Sequence, residues 1–113
     1  MNISRKLYQT NKLVKAILEE EEKARDSDSY LYLKVLYRVG QVKGIDVNAM
    51  SVPDFLLNRN RLGFPCFETV RRTRQKIQAE HPELAGSDNV EAMRIINERV
   101  YRDYARSKNK WKY

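Results

Sequence analysis

The stretch FETVRRTRQKIQAEHP, residues 67–82, constrains the fold more than any other part of the chain. At 100° per residue, four of its side chains fall on one side of a helix: Phe67, Val70, Thr73 and Ile77. Basic and amide side chains spread round the remaining surface: Arg71, Arg72, Gln75, Lys76 and Gln78. The pattern predicts a helix over residues 67–79 with a buried stripe and a basic outer face. It should end before Pro82, because the residue preceding a proline disfavours the helical conformation.

Capping signals and apolar spacing predict four further helices. The first covers residues 7–23, and its closing run of four glutamates is expected to be a solvated, fraying end or to be offset by a basic partner. The second follows the cap signal at residues 26–28 and should stop at Gly40 in a left-handed conformation. Ser51 caps a helix over residues 52–60, and a D-x-x-E capping box at Asp88 starts a last one that reaches about Lys108.

Each predicted helix has an apolar stripe that we expect to face a common core. In the first and second helices the stripes consist of Leu7, Val14, Ile17 and Leu18, and of Leu31, Val35, Leu36 and Val39. In the third and last helices they consist of Phe55, Leu56 and Leu57, and of Val90, Met93, Ile96, Val100 and Tyr104. The fold class predicted is therefore all-α, a compact bundle of about five helices. We expect one helical domain over residues 1–106 and a basic aromatic tail over residues 107–113.

Composition supports a folded, helical, soluble protein. Among 113 residues, 42% are hydrophobic and 33% charged, with only four Gly and three Pro. A single cysteine, Cys66, rules out an internal disulfide. The sequence has neither a secretory signal nor an apolar run of about 20 residues that would span a membrane. We therefore expect a reducing, cytoplasmic location and no membrane partner.

The charge is unevenly distributed along the chain. The formal net charge is +7, and residues 1–57 contribute nine Lys/Arg against eight Asp/Glu, which is +1. Residues 58–113 contribute thirteen against seven, which is +6. Such asymmetry is typical of a surface that binds nucleic acid or another polyanion. The alternative is a basic protein whose charge serves solubility alone.

The sequence contains few residues that could form a catalytic or metal-binding site. The one histidine, His81, and the one cysteine, Cys66, have no third orienting group that the sequence can place beside them. One residue of each kind cannot build a structural zinc site, and there is no Gly-rich phosphate-binding loop. We therefore expect no catalytic residues, no metal and no cofactor.

The order of the two central helices matches a helix-turn-helix DNA-binding unit. Residues 52–60, a turn and residues 67–79 follow one another, although a turn of about six residues, 61–66, is longer than the usual three or four. Glu68 and Thr69 in the first turn of the second helix would point toward base edges. The candidate nucleic-acid-binding residues are Arg59, Arg71, Arg72, Gln75, Lys76, Arg102, Arg106, Lys108 and Lys110. Arg71, Arg72 and Gln75 would read bases, because Arg and Gln make forked hydrogen bonds.

Two alternatives bear on this interpretation. Arg74 falls about 40° from Val70 on the inner side of its helix, so we expect it to pair with an internal acid. The whole stretch could also be a solvated surface helix whose long basic side chains cover the edge of the core.

The chain also resembles a group of small, mostly uncharacterised proteins of bacteriophages and prophages. The resemblance rests on FETVRRTRQKIQAEHPEL, with DSDSYLYLKVL before it and ERVYRDYAR after it, and covers roughly residues 26–106. It implies a phage protein acting in the cytoplasm of a bacterial host. Small basic helical proteins in that setting are DNA-binding regulators, or inhibitors of host defence nucleases as anti-CRISPR proteins are. The partner expected is DNA or, alternatively, a host nucleic-acid-binding protein.

Overall fold

A computed structural model describes the backbone of residues 3–110 and the side chains of residues 9–106. Over that range the chain forms six α-helices and two short 3-10 turns, Val47–Ala49 and Pro82–Leu84, and no strand. The helices are α1 Ile3–Glu20, α2 Glu22–Asp26, α3 Asp28–Lys43, α4 Val52–Leu62, α5 Phe67–Glu80 and α6 Asp88–Lys110. The prediction of an all-α fold is confirmed. None of the helices in the described residues is both long and apolar enough to cross a membrane.

The first predicted helix is divided at Glu21, which accounts for six helices instead of five. Glu21 has extended backbone angles, and its side chain accepts a hydrogen bond from the Tyr30 hydroxyl at 2.9 Å. Arg25, in α2, folds back and donates from Nε to the Leu18 carbonyl at 2.7 Å. This bond satisfies a carbonyl that the end of α1 leaves without a helical partner. Two of the four glutamates have basic partners, since Glu20 pairs with Arg38 and Glu21 with Lys34, both on α3.

The core lies where α1, α3 and α5 meet, with the short α2 packed against α1 and α3. Its buried apolar side chains are Val14, Ile17, Leu18, Ala24, Leu31, Val35, Val70, Ile77 and Leu84. Most of the predicted stripes of the first two helices are thus buried, as is Leu36, while Leu7 lies outside the described side chains. Ser27 caps α3 by accepting from the Tyr30 amide at 3.1 Å, as the cap signal predicted.

The stop at Gly40 was predicted wrongly. Helix α3 continues through it to Lys43, and Gly44 takes the left-handed conformation with φ of 72°. Gly40 is buried instead: a Cβ atom there would lie 2.7 Å from the Ile45 carbonyl oxygen. Glycine is needed at Gly40 for a close approach of the returning chain, not for a turn.

Helix α4 lies at the edge of the bundle and has no buried residue. Its start is as predicted, because Ser51 accepts from the Asp54 amide at 3.1 Å. Its predicted inner face is wrong: Leu56 and Leu57 are 66% and 84% exposed. Phe55, the remaining residue predicted to face inward, does contact the bundle, with its ring 5.7 Å from that of Phe64 and 6.5 Å from that of Tyr32.

The predicted inner stripe of α6 also faces solvent. Met93, Ile96, Val100 and Tyr104 are between 52% and 65% exposed, and only Val90, near the start of the helix, is half-buried. The side that faces the bundle is polar. Arg94 donates to Glu91 at 3.0 Å and lies 3.9 Å from Asp28, at the start of α3. Beyond Arg94 every described side chain of α6 is exposed, so the helix extends past the bundle and its apolar stripe is left uncovered.

Candidate nucleic-acid interface

The turn between α4 and α5 is shorter than predicted. Helix α4 extends to Leu62, so that only Gly63, Phe64, Pro65 and Cys66 connect it to α5. Gly63 ends α4 in the left-handed conformation, with φ of 83°, and its amide donates to the carbonyls of Arg59 and Asn60. Phe64 is buried and packs edge-on against Phe55. A turn of this length that contains glycine is typical of helix-turn-helix units.

The first turn of α5 is occupied by contacts within the chain. The Cys66 thiol lies 3.1 Å from the Thr69 hydroxyl, and this hydrogen bond lowers the pKa of the Cys66 thiol. Thr69 is half-buried, and its hydroxyl is hydrogen-bonded to Cys66. It is therefore not free to point toward base edges, as the sequence predicted. Phe67 is 41% exposed, with its ring edge-on to that of Tyr32 at 5.4 Å.

Arg74 belongs to the inner face of α5, which confirms its predicted pairing with an internal acid. Arg74 is only 4% exposed and is thus more deeply buried than Phe67. It donates from Nε and Nη2 to the two carboxylate oxygens of Asp28, at 2.7 and 3.2 Å, and from Nη1 to Gln78 at 3.0 Å. This forked geometry suits a buried guanidinium, because each donor that leaves water finds an acceptor.

The outer face of α5 carries Arg72, Gln75 and Lys76, all of them exposed. Arg72, with its side chain 75% exposed, donates to Glu68 at 3.0 Å. Arg71 donates to the same carboxylate through two bonds of 2.5 and 3.0 Å. These bonds lower the pKa of Glu68, chiefly through Arg71, and the Glu68 bond raises the pKa of Arg71. Two guanidinium groups thus share one acid, which leaves an excess positive charge at the start of the face.

Arg71 and Gln75 also line an open cleft of about 900 Å³ between α5 and α6. From α6 the cleft receives side chains that the sequence did not mark as candidates: Glu91, Arg94, Ile95, Asn97, Glu98 and Tyr101. The sequence could not indicate them, because the residue pattern of neither helix determines the angle at which α6 packs on α5. The cleft contains acids as well as bases, so its lining is close to charge-balanced.

The other predicted residues are more scattered. Arg59 supports the turn, donating to the Phe64 carbonyl at 3.1 Å. Arg102 pairs with Glu98 at 2.7 Å, the i, i+4 pair that the sequence predicts, and Arg106 is exposed further along α6. Lys108 and Lys110 lie outside the described side chains. The structure therefore places Arg71, Arg72, Gln75 and Lys76 together on α5, and Arg59, Arg102 and Arg106 on other helices.

Residues that could support other chemistry lie apart. Cys66 and His81 flank the two ends of α5, roughly 20 Å from each other along the helix axis, so the pair cannot act on one atom. Within the described part of the chain, no three His, Cys, Asp or Glu residues form a group that could hold a metal ion.

Comparison with known proteins yields no relative: no family profile, curated protein sequence or solved structure matches this chain.

Proposed function

We propose that this chain binds DNA without catalysis, through the outer face of α5 in a helix-turn-helix-like unit formed by α4 and α5. The observation that carries the proposal is the exposed face of α5 with Arg72, Gln75 and Lys76, on a helix that follows α4 after a turn of four residues, Gly63 to Cys66. In such units the second helix enters the major groove of DNA. The phage setting implied by the resemblance remains a prediction that agrees with this function.

The ion pairs on α5 are compatible with this role. Exposed pairs such as Arg72–Glu68 stabilise the fold little, so a phosphate or a base edge can replace the carboxylate. Glu68 itself can accept a hydrogen bond from the cytosine amino group in the major groove. In this arrangement Arg71, Arg72 and Gln75 contact bases, and Lys76 contacts a phosphate. Arg102, Arg106, Lys108 and Lys110 add phosphate contacts outside the unit.

Fluorescence anisotropy with labelled duplex DNA of mixed sequence tests the proposal. At 50 mM salt we expect binding, and we expect the affinity to fall about a thousandfold by 200 mM salt if about six phosphates are contacted. The variant Arg72→Ala with Lys76→Ala should bind at least about tenfold more weakly, and the loss of the Lys76 contact should reduce the salt slope by about one. Its thermal stability should be unchanged, because both side chains are exposed.

The matched control is Lys23→Ala with Arg38→Ala, which removes the same two charges from α2 and α3. If both double variants weaken binding equally, net charge and not the α5 face is responsible. Absence of binding to any duplex at 50 mM salt would refute the proposal.

A second candidate function, favoured by a different observation, is a protein-interaction module such as an inhibitor of a host defence nuclease. Helix α4 exposes Val52, Leu56 and Leu57, of which Leu57 is 84% exposed, and buries none of its residues. Grouped apolar side chains on a surface mark protein-binding sites. A host protein retained in stoichiometric amount by the chain, but not by the variant Leu56→Ser with Leu57→Ser, would favour this function. The same variant should leave DNA affinity unchanged if the α5 proposal is correct.

A further inference from the structure

We propose that Glu68 makes DNA binding by α5 selective for G·C pairs, because it occupies Arg71 and Arg72 until such a pair replaces its hydrogen bonds. The inference rests on the proposed function and makes Glu68 a specificity-determining residue. It starts from the position of Glu68 in the first turn of α5, beside both guanidinium groups. Among the described residues, Glu68 is the one acid that forms an ion pair with either of them.

The carboxylate of Glu68 accepts hydrogen bonds from three guanidinium donors at once. Arg71 donates from Nε at 3.0 Å and from Nη2 at 2.5 Å, and Arg72 donates from Nε at 3.0 Å. The hydrogen bonds from Arg71 are the main cause of the lowered pKa of Glu68, so the carboxylate stays ionised at neutral pH. In the free protein, both arginines are therefore held by an anion of the same chain.

A DNA phosphate competes poorly for these two arginines. It can bind a guanidinium only by displacing the carboxylate, and it then brings a second negative charge close to Glu68. Lys76 differs, because it is exposed and has no ion-pair partner within the part of the chain that the structure describes. Sequence-independent contact is thus weakened at Arg71 and Arg72 and unopposed at Lys76.

A G·C pair can replace the bonds that this cluster gives up. In the major groove, guanine O6 and N7 accept the forked bonds of an arginine, and the cytosine amino group donates to a carboxylate. One base pair therefore offers the acceptors that an arginine requires and the donor that Glu68 requires. An A·T pair lacks the two adjacent acceptors, since adenine presents one acceptor and one donor, and thymine one acceptor. Binding through the cluster therefore favours G·C pairs.

Fluorescence anisotropy with two duplexes of equal length, one of mixed sequence and one of A·T pairs alone, tests the inference. We expect the unchanged chain to bind the mixed duplex at least about tenfold more tightly. Glu68→Gln should bind the A·T duplex about tenfold more tightly than the unchanged chain does, with a salt slope steeper by about one, because a freed guanidinium contacts a phosphate. The ratio between the two affinities should fall accordingly.

Two controls separate this role from a change in net charge. Glu80→Gln removes the same charge from the exposed last residue of α5, which forms no ion pair with any described residue, and it should leave the ratio unchanged. Arg71→Ala removes two of the three bonds to Glu68. In that background, Glu68→Gln should raise the affinity for the A·T duplex by less than about threefold.

An equal rise for both duplexes in Glu68→Gln, or the same effect in Glu80→Gln, would overturn the inference and leave the proposed function intact, because the chain would still bind DNA. A full rise that persists in the Arg71→Ala background would also overturn it, since Glu68 would then act through its charge alone. Absence of binding by the unchanged chain to either duplex would instead refute the proposed function, and the inference with it.

Discussion

Arg74 shows how one residue within a basic cluster can serve the fold. It stands in the run RRTR beside Arg71 and Arg72, yet of the described side chains it is the only charged one that is buried. The helical pattern predicted its inward direction. It could not name the partner, because Asp28 lies 46 residues earlier in the chain and the pairing depends on how α3 packs on α5. Gln78, also buried, completes the network by donating to the carbonyls of Arg25 and Leu84.

At the residue scale, we expect Arg74→Ala to lower the free energy of unfolding by about 3 kcal/mol. The change removes the forked partner of Asp28 and leaves that partly buried carboxylate with Arg94, at 3.9 Å. Urea denaturation followed by circular dichroism would measure the loss. Arg72→Ala is the matched control, since an exposed position should change stability by less than about 0.5 kcal/mol. Similar losses in the two variants would mean that the Arg74–Asp28 pair contributes little.

At the element scale, helix starts were predicted more accurately than helix ends. Ser27 and Ser51 cap α3 and α4 as expected, because a cap acts on amides within three residues of itself. The end of α3 was misplaced because Gly40 and Gly44 are both candidate stops in the sequence. Only the return of the chain at Ile45, whose amide donates to the Gly40 carbonyl at 2.8 Å, distinguishes them.

Substitution by alanine should therefore destabilise the protein at both glycines, but for different reasons. In a helix interior Gly→Ala ordinarily stabilises by about 0.5–1 kcal/mol, but we expect Gly40→Ala to destabilise by about 1–3 kcal/mol. Its Cβ would lie 2.7 Å from the Ile45 carbonyl oxygen and 3.0 Å from the Val47 side chain. Gly44→Ala meets no atom within 4 Å and should cost only about 1–2 kcal/mol for its positive φ. Thermal unfolding compares the two, and a stabilised Gly40→Ala variant would contradict the close approach.

At the scale of the whole molecule, packing is unevenly distributed. Helices α1, α3 and α5 share the apolar core, whereas α4 is held mainly by Phe55, and α6 mainly by polar contacts of Arg94 and Glu91. Polar contacts at a surface stabilise less than buried apolar area does. The exposed apolar side chains of α4 and α6 thus lie on the less tightly packed elements, and the α5 face lies on a helix that shares the core.

Amide hydrogen exchange should reveal this division. We expect the slowest exchange in α1, α3 and α5, and faster exchange in α6 beyond Arg94. Mass spectrometry of peptic fragments measures the exchange of each helix. Uniform protection of all six helices would contradict the uneven packing.

The sequence by itself determined the helical class, the principal helices, the N-caps Ser27 and Ser51 and which side chains share a side of each helix; α6 is capped by Ser87 and not by the predicted Asp88. Those properties depend on backbone preferences and on hydrogen bonds that close within about four residues. Tertiary structure decided which sides are covered. Val70 and Ile77 of the α5 stripe are buried where α5 meets α1 and α3, while the equally regular stripe of Ile96 on α6 is more than half exposed. Periodicity records only that apolar side chains lie together; whether they form a core or a surface depends on residues distant in sequence.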